Sequence, residues 1–66
     1  MEKQKIIQKL KEKEETGSNV WIMFDLGDEM YDSLLGYIHE IRPNFVTLYT
    51  NEGRISVNYS QISKIH

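Results

Sequence analysis

Val20-Trp21-Ile22-Met23-Phe24-Asp25-Leu26 alternates: Val20, Ile22, Phe24 and Leu26 fall on one side of an extended chain, and Trp21, Met23 and Asp25 on the other. A period of two with apolar residues on one face is the pattern of a half-buried β-strand. Gly27 and Asp28 end the run. A second, longer strand is expected over residues 30–41, with Leu34, Gly36 and Ile38 on one face. Gly36, with no side chain at a position that should face inward, marks a sharp bend.

Arg42-Pro43-Asn44 reads as a turn, because Pro43 has no amide proton and holds the residue before it extended. Residues 45–50 and 54–58 read as the third and fourth strands, joined by Asn51-Glu52-Gly53, where Gly and Asn tolerate the positive φ of a tight hairpin. Tyr59, Ser60 and Gln61 form a single helical turn before a short fifth strand over 62–65. Upstream, residues 2–15 contain no Gly or Pro and carry Ile6, Ile7 and Leu10 in one narrow stripe, followed by Thr16-Gly17-Ser18-Asn19 as a stop signal. The expected architecture is mainly β. A short N-terminal helix (1–16) lays its stripe across the open end of a five-stranded, strongly bent small barrel (19–66), all in one domain. Closing the barrel would remove the exposed edges of an open sheet.

The chain has 66 residues, no cysteine and a net charge of −2. A chain this short buries only roughly 60% of its unfolded surface. Without disulfides or thiolate metal sites, self-association is the usual remaining source of stability, so a homo-oligomer is expected. No apolar run approaches the ~20 residues of a membrane span, which points to a soluble, cytoplasmic protein with no membrane partner.

Charge is unevenly distributed. Residues 1–15 hold five lysines against four glutamates, while residues 16–66 hold three bases (Arg42, Arg54, Lys64) against six acids. Five of those acids, Asp25, Asp28, Glu29, Asp32 and Glu40, occur in a stretch with no base. That composition weighs against strong phosphate binding, which depends on Lys and Arg. It suits docking on a basic protein surface, with Asp25, Asp28, Glu29 and Asp32 as the contact residues.

Residue types give no support to catalysis. His39 and His66 are far apart in sequence, and His39 and Glu40, as neighbours on a strand, are expected on opposite faces, where they cannot work as a base and its orienting partner. None of the serines sits on a nucleophile turn, and no Gly-rich phosphate loop is present. The acidic stretch has the oxygen ligands a calcium ion would need, but reads more simply as a solvated loop. No cofactor is implied. Trp21, Tyr31, Phe45 and Tyr59 are the candidate stacking faces for bases, against which stands the preference of strands for aromatic residues; Trp21 and Tyr31 are assigned to packing in the core or between subunits.

After a short N-terminal helix, four segments resemble the Sm-like proteins, and among them the bacterial Hfq arrangement: Asn19 through Asp28 as first strand and turn, Leu34-Leu35-Gly36-Tyr37-Ile38 as the bent second strand, Ile41 through Leu48 as the turn and third strand, and Val57-Asn58-Tyr59-Ser60-Gln61-Ile62-Ser63 as the turn before the closing strand. The resemblance implies a ring, with the fourth strand of one subunit pairing with the fifth of the next. It also implies a single-stranded RNA or nucleotide site around the pore. In that family an amide and an aromatic after the second strand, and a lysine-histidine pair before the fifth, hold the RNA. Asn44 and Phe45 match the first two positions, whereas Tyr59 and Ser60 stand where the basic pair would be. The resulting candidate site is Arg42 for charge, Asn44 for base edges, Phe45 and Tyr59 for stacking, and Ser60 for a phosphate or sugar contact. The segment from Gly27 to Ser33 is longer than this likeness predicts.

Gly36-Tyr37-Ile38-His39-Glu40-Ile41 and Ile62-Ser63-Lys64-Ile65 also resemble the YolD-like proteins of Gram-positive bacteria and their phages, although the longer N-terminal region of that family is missing. Its link with error-prone DNA polymerases implies a protein-binding accessory.

Overall fold

A computed structural model describes residues 2–66. Helix α1 spans Lys3–Thr16 and stops where Gly17 turns left-handed, at φ 65°. There the Gly17 N–H reaches the Glu14 carbonyl and the Ser18 N–H the Lys13 carbonyl, both at 3.2 Å, which satisfies two of the carbonyls a helix end leaves free. The expected apolar stripe is the buried one. Ile6 and Leu10 are fully inaccessible, and Ile7 packs against them at the edge of the core.

Five strands follow: β1 Asn19–Gly27, β2 Met30–Ile41, β3 Phe45–Thr50, β4 Gly53–Asn58 and, after a 3₁₀ turn at Tyr59–Gln61, β5 Ile62–Ile65. All pairs are antiparallel, and the sheet order is β4-β3-β2-β1-β5. Alternation assigns the faces. Val20 and Ile22 of β1, Val46 and Leu48 of β3, Val57 of β4 and Ile62 and Ile65 of β5 turn inward, where α1 covers them. Fully burying a side chain of this kind is worth about 1.5–3 kcal/mol, so this one cluster carries most of the fold's stability. At Gly36 the backbone of β3 comes close: a Cβ there would run into the Tyr49 carbonyl oxygen and lie 3.2 Å from the Thr50 methyl.

The expected fold class is what forms, a helix followed by five strands, but the sheet does not close. β4 and β5 stand at opposite edges and do not pair. The cause is the path of the chain. The 3₁₀ turn carries it from β4 across to the far side of β1, and the four residues of β5 spend their pairing on Ile22–Phe24. Helix α1, resting mainly on β2 and also touching β1, β5 and the 3₁₀ turn, covers the inner side instead.

β2 begins at Met30, as expected: Gly27 pairs with Met30, so Asp28 and Glu29 make a two-residue turn and residues 30–33 belong to the strand rather than to a solvated loop. One local expectation is corrected. Between Ile38 and Glu40 the register with β3 shifts, leaving His39 as an extra residue. A bulge of this kind sets two residues against one. His39 and Glu40 therefore do not alternate. Both lie against Thr47, whose hydroxyl meets His39 Nδ1 at 2.8 Å and donates to the Glu40 carbonyl at 3.4 Å.

Candidate functional site

Asn58 ends β4 in an extended conformation and turns its side chain back over the 3₁₀ turn, where Oδ1 accepts from the Ser60 amide at 3.1 Å and the Ser60 hydroxyl at 3.0 Å. This is an N-cap, the favoured use of Asn before a helical turn. It fixes Tyr59 so that its N–H donates to the Asn44 carbonyl at 3.1 Å and its hydroxyl to the Arg42 carbonyl at 2.6 Å. The turn after β2 and the turn after β4 are thereby locked together. From above, the Lys3 ammonium at the start of α1 donates to Asn44 Oδ1 at 3.1 Å. Lys3, Asn44, Asn58, Tyr59 and Ser60 line a pocket of about 210 Å³.

Three of the five residues expected at a ligand site, Asn44, Tyr59 and Ser60, are thus brought together. Arg42 and Phe45 do not line the pocket: Arg42 is bound to Glu40 at 2.7 Å, both side chains being about half exposed, and Phe45 pairs with Asn58 across β3 and β4. The stacking role expected of Tyr59 is corrected. At 3% exposure its ring belongs to the core, and only its margin borders the pocket. Burial pushes the Tyr59 hydroxyl above its ordinary pKa of 10.0.

Sequence reasoning missed Lys3 and Asn58. Lys3 is one of five lysines on α1, and nothing in the spacing separates it from the others. Asn58 was legible in principle, since Asn followed by a short polar turn is a capping signal. The pocket is rich in donors. The ammonium has two N–H groups beyond the one used, and both Asn side chains accept through Oδ1 while keeping their NH2 groups.

The outer face of the sheet has a different character. Trp21 sits opposite Leu35, and Tyr37 opposite Tyr49. All four are 48–60% exposed, so Trp21 is not a core residue. His39 meets Tyr49 edge-on at 4.7 Å between centroids, and His66 meets Trp21 at 5.6 Å. Arg54 lies opposite Tyr49 on β4 and approaches His39 Nε2 at 3.4 Å.

At the far end, the β1–β2 hairpin leaves the core entirely, and every residue from 25 to 33 is exposed. Asp25, Asp28, Glu29 and Asp32 are there with Leu26, Met30 and Tyr31, so Tyr31 too is outside the core. Two of the carboxylates serve the local backbone: Asp25 accepts from the Gly27 amide at 2.7 Å and Asp32 from the Ser33 amide at 2.8 Å. No cluster of three or more His, Cys, Asp or Glu suited to a metal forms among the described residues. Nor is any described helix long and apolar enough to cross a membrane.

No family model, curated protein or solved structure matches the chain. The likeness to Sm-like and YolD-like chains rests on the residue pattern alone.

Proposed function

We propose that the protein is a non-enzymatic, Sm-like RNA- or nucleotide-binding regulator that works in the cytoplasm as a homo-oligomer. The observation that carries this reading is the convergence of Lys3, Asn44, Asn58 and Ser60 on one pocket. Lys3 supplies the positive charge that the turn before β5 lacks. An ammonium beside two amides and a hydroxyl suits a phosphate next to a base edge: the ammonium neutralises, the two NH2 groups remain as donors, and Asn44 Oδ1 keeps one acceptor position. The pocket is smaller than the roughly 300 Å³ at which drug-sized sites begin, which fits part of one nucleotide rather than a larger ligand.

One such site binds weakly. Assembly of several copies through the free edges of β4 and β5 would repeat it along a strand, and linked weak sites gain affinity through effective concentration. The test is the native mass by light scattering, with and without oligo-uridine or oligo-adenosine, for the natural chain and for Lys3→Gln with Asn44→Ala. An oligomer that gains mass with RNA, and loses at least tenfold in affinity in the double variant, supports the reading, since a hydrogen bond to a charged group is worth about 1.5–3 kcal/mol. A monomer indifferent to both strands overturns it.

A second reading, an acidic module that docks on a basic protein surface, is favoured by the β1–β2 hairpin. Four carboxylates and three large apolar side chains share one exposed arm there. Charge reversal at Asp28, Glu29 and Asp32 should then abolish capture of a basic partner while leaving RNA affinity unchanged. Capture that survives reversal eliminates this alternative.

A further inference from the structure

We propose that the outer face of the sheet is a second nucleic-acid surface, a stacking track for single-stranded bases built from Trp21, Tyr37 and Tyr49. It rests on the nucleic-acid reading above but not on the pocket, which opens elsewhere.

Three observations combine. First, the rings are on one face and near one another. Tyr37 and Tyr49 are directly opposite across β2 and β3, while Trp21 is one row along, diagonal to Tyr37, whose direct partner on β1 is Asn19. Direct and diagonal neighbours on a sheet face lie within about 8 Å, so the three rings form one continuous surface. Leu35 fills the angle between Trp21 and Tyr37, and a shallow depression runs along Leu35, Tyr37 and Tyr49.

Second, the charges are sorted. The chain is acidic beyond α1, yet Arg54 and Lys64 fall on this face: Arg54 pairs with Tyr49, and Lys64 pairs with Met23, which alternates with the buried Ile22. Most of the carboxylates lie elsewhere: Asp28 and Glu29 are in the hairpin turn, Asp32 pairs with the inward-facing Phe24, and Glu52 is in the β3–β4 turn. Glu40, opposite Thr47 on this face, is offset by its pair with Arg42, and Asp25, opposite Tyr31, keeps its charge at the hairpin end of the face, beyond Met23 and Lys64 from the rings. A positive border around exposed rings is what a polyanion with stackable bases requires, and neither a basic protein nor a second copy of the same basic border matches it.

Third, two of the three rings are held in place. His66 tilts at 44° against Trp21, and His39, anchored by the Thr47 hydroxyl at 2.8 Å, meets Tyr49 edge-on at 74°. Side chains already restrained lose less freedom when a base stacks on them.

The chain contains a single tryptophan, so Trp21 reports on this face directly. The experiment titrates its fluorescence with oligo-uridine and oligo-thymidine while following a labelled strand by anisotropy. The variants are Tyr37→Ala, Tyr49→Ala, Arg54→Gln and, as the pocket control, Lys3→Gln. The expected result is quenching of Trp21 and a roughly tenfold loss of affinity for each Tyr→Ala, within the range for a stacked base. Arg54→Gln should flatten the dependence of log affinity on log salt by about one unit. Quenching should persist in Lys3→Gln, and Tyr37→Phe and Tyr49→Phe should bind as the natural chain does, which separates stacking from folding.

A strand that binds without changing Trp21 emission, and is weakened only by Lys3→Gln, overturns the track and leaves the pocket reading intact. A chain that binds no strand overturns both. Trp21 emission that changes with protein concentration alone, together with a native mass altered by Tyr37→Ala, would make the face a contact between copies and would also overturn the track.

Discussion

The Tyr59 hydroxyl donates to the Arg42 carbonyl at 2.6 Å, joining two turns that are 17 residues apart in sequence and together frame the pocket. Tyr59→Phe keeps the ring and removes this bond. The expected cost is about 1 kcal/mol, with part of it coming from the carbonyl left without a partner. Urea unfolding followed by far-UV circular dichroism measures it, and an unchanged midpoint would mean the ring alone holds the two turns.

The same residue should make the fold sensitive to alkali. Its folded pKa is raised above the unfolded value of 10.0, so the folded state holds the phenol proton more tightly. That contribution is complete below pH 10 and is lost as pH rises through the folded pKa. Stability of the natural chain should therefore fall above pH 10 more steeply than that of Tyr59→Phe. The comparison needs only melting temperatures from pH 8 to 11.

Gly36→Ala tests the close approach of β2 and β3. The added Cβ meets backbone, the Tyr49 carbonyl, which cannot swing aside as a side chain would. Overpacking of this kind costs about 1–3 kcal/mol, and here the value should lie at the upper end. Separation of β2 from β3 near Tyr49 should also appear as faster amide exchange in both strands.

Glu29→Gly is expected to stabilise. Asp28 and Glu29 both have positive φ, 50° and 61°, the geometry for which a two-residue hairpin prefers Asp followed by Gly. A left-handed conformation costs a non-glycine residue roughly 1–2 kcal/mol, and the greater freedom of glycine when unfolded offsets part of the gain. A net increase of about 0.5–1 kcal/mol should register as a higher melting temperature. If Glu29→Gly instead weakens partner capture, the carboxylate has a use that justifies the strain.

Leu10→Ala should remove a large share of the fold's stability and lower the melting temperature sharply. Leu10 is fully buried, and removing its side chain costs about 2–5 kcal/mol. A domain of this size has roughly 3–10 kcal/mol in total. Lys11→Ala, one residue along on the exposed side of α1, should leave the melting temperature almost unchanged.

The strand pattern was legible because alternation is a local signal. Val20, Ile22, Val46, Leu48 and Val57 declare their faces in the sequence, and Gly17 and Pro43 mark where elements stop. What could not be read depends on counting or on distance. The bulge at His39 adds one residue to a ladder, and nothing in the composition of residues 38–40 announces it. The open sheet follows from the direction the chain takes through the 3₁₀ turn, which strand lengths do not encode. At the pocket, Asn44 and Ser60 were picked out by the resemblance to Sm-like chains. Lys3 was not, because its partner Asn44 is 41 residues away.

The two bare margins of the sheet are unlike: β4 offers six residues and β5 four. Joining one to the other on the next copy is a head-to-tail contact, and such contacts accumulate rotation with every copy added. Whether growth ends in a ring or continues as a filament is then a matter of angle rather than of affinity. Where β5 lies on β1 its register shifts between Met23 and Phe24, and an irregularity of this kind bends and twists a strand. In the assembly proposed above, a substitution that straightens that shift would be expected to change how many copies complete a circle, without touching a single residue of the contact between them.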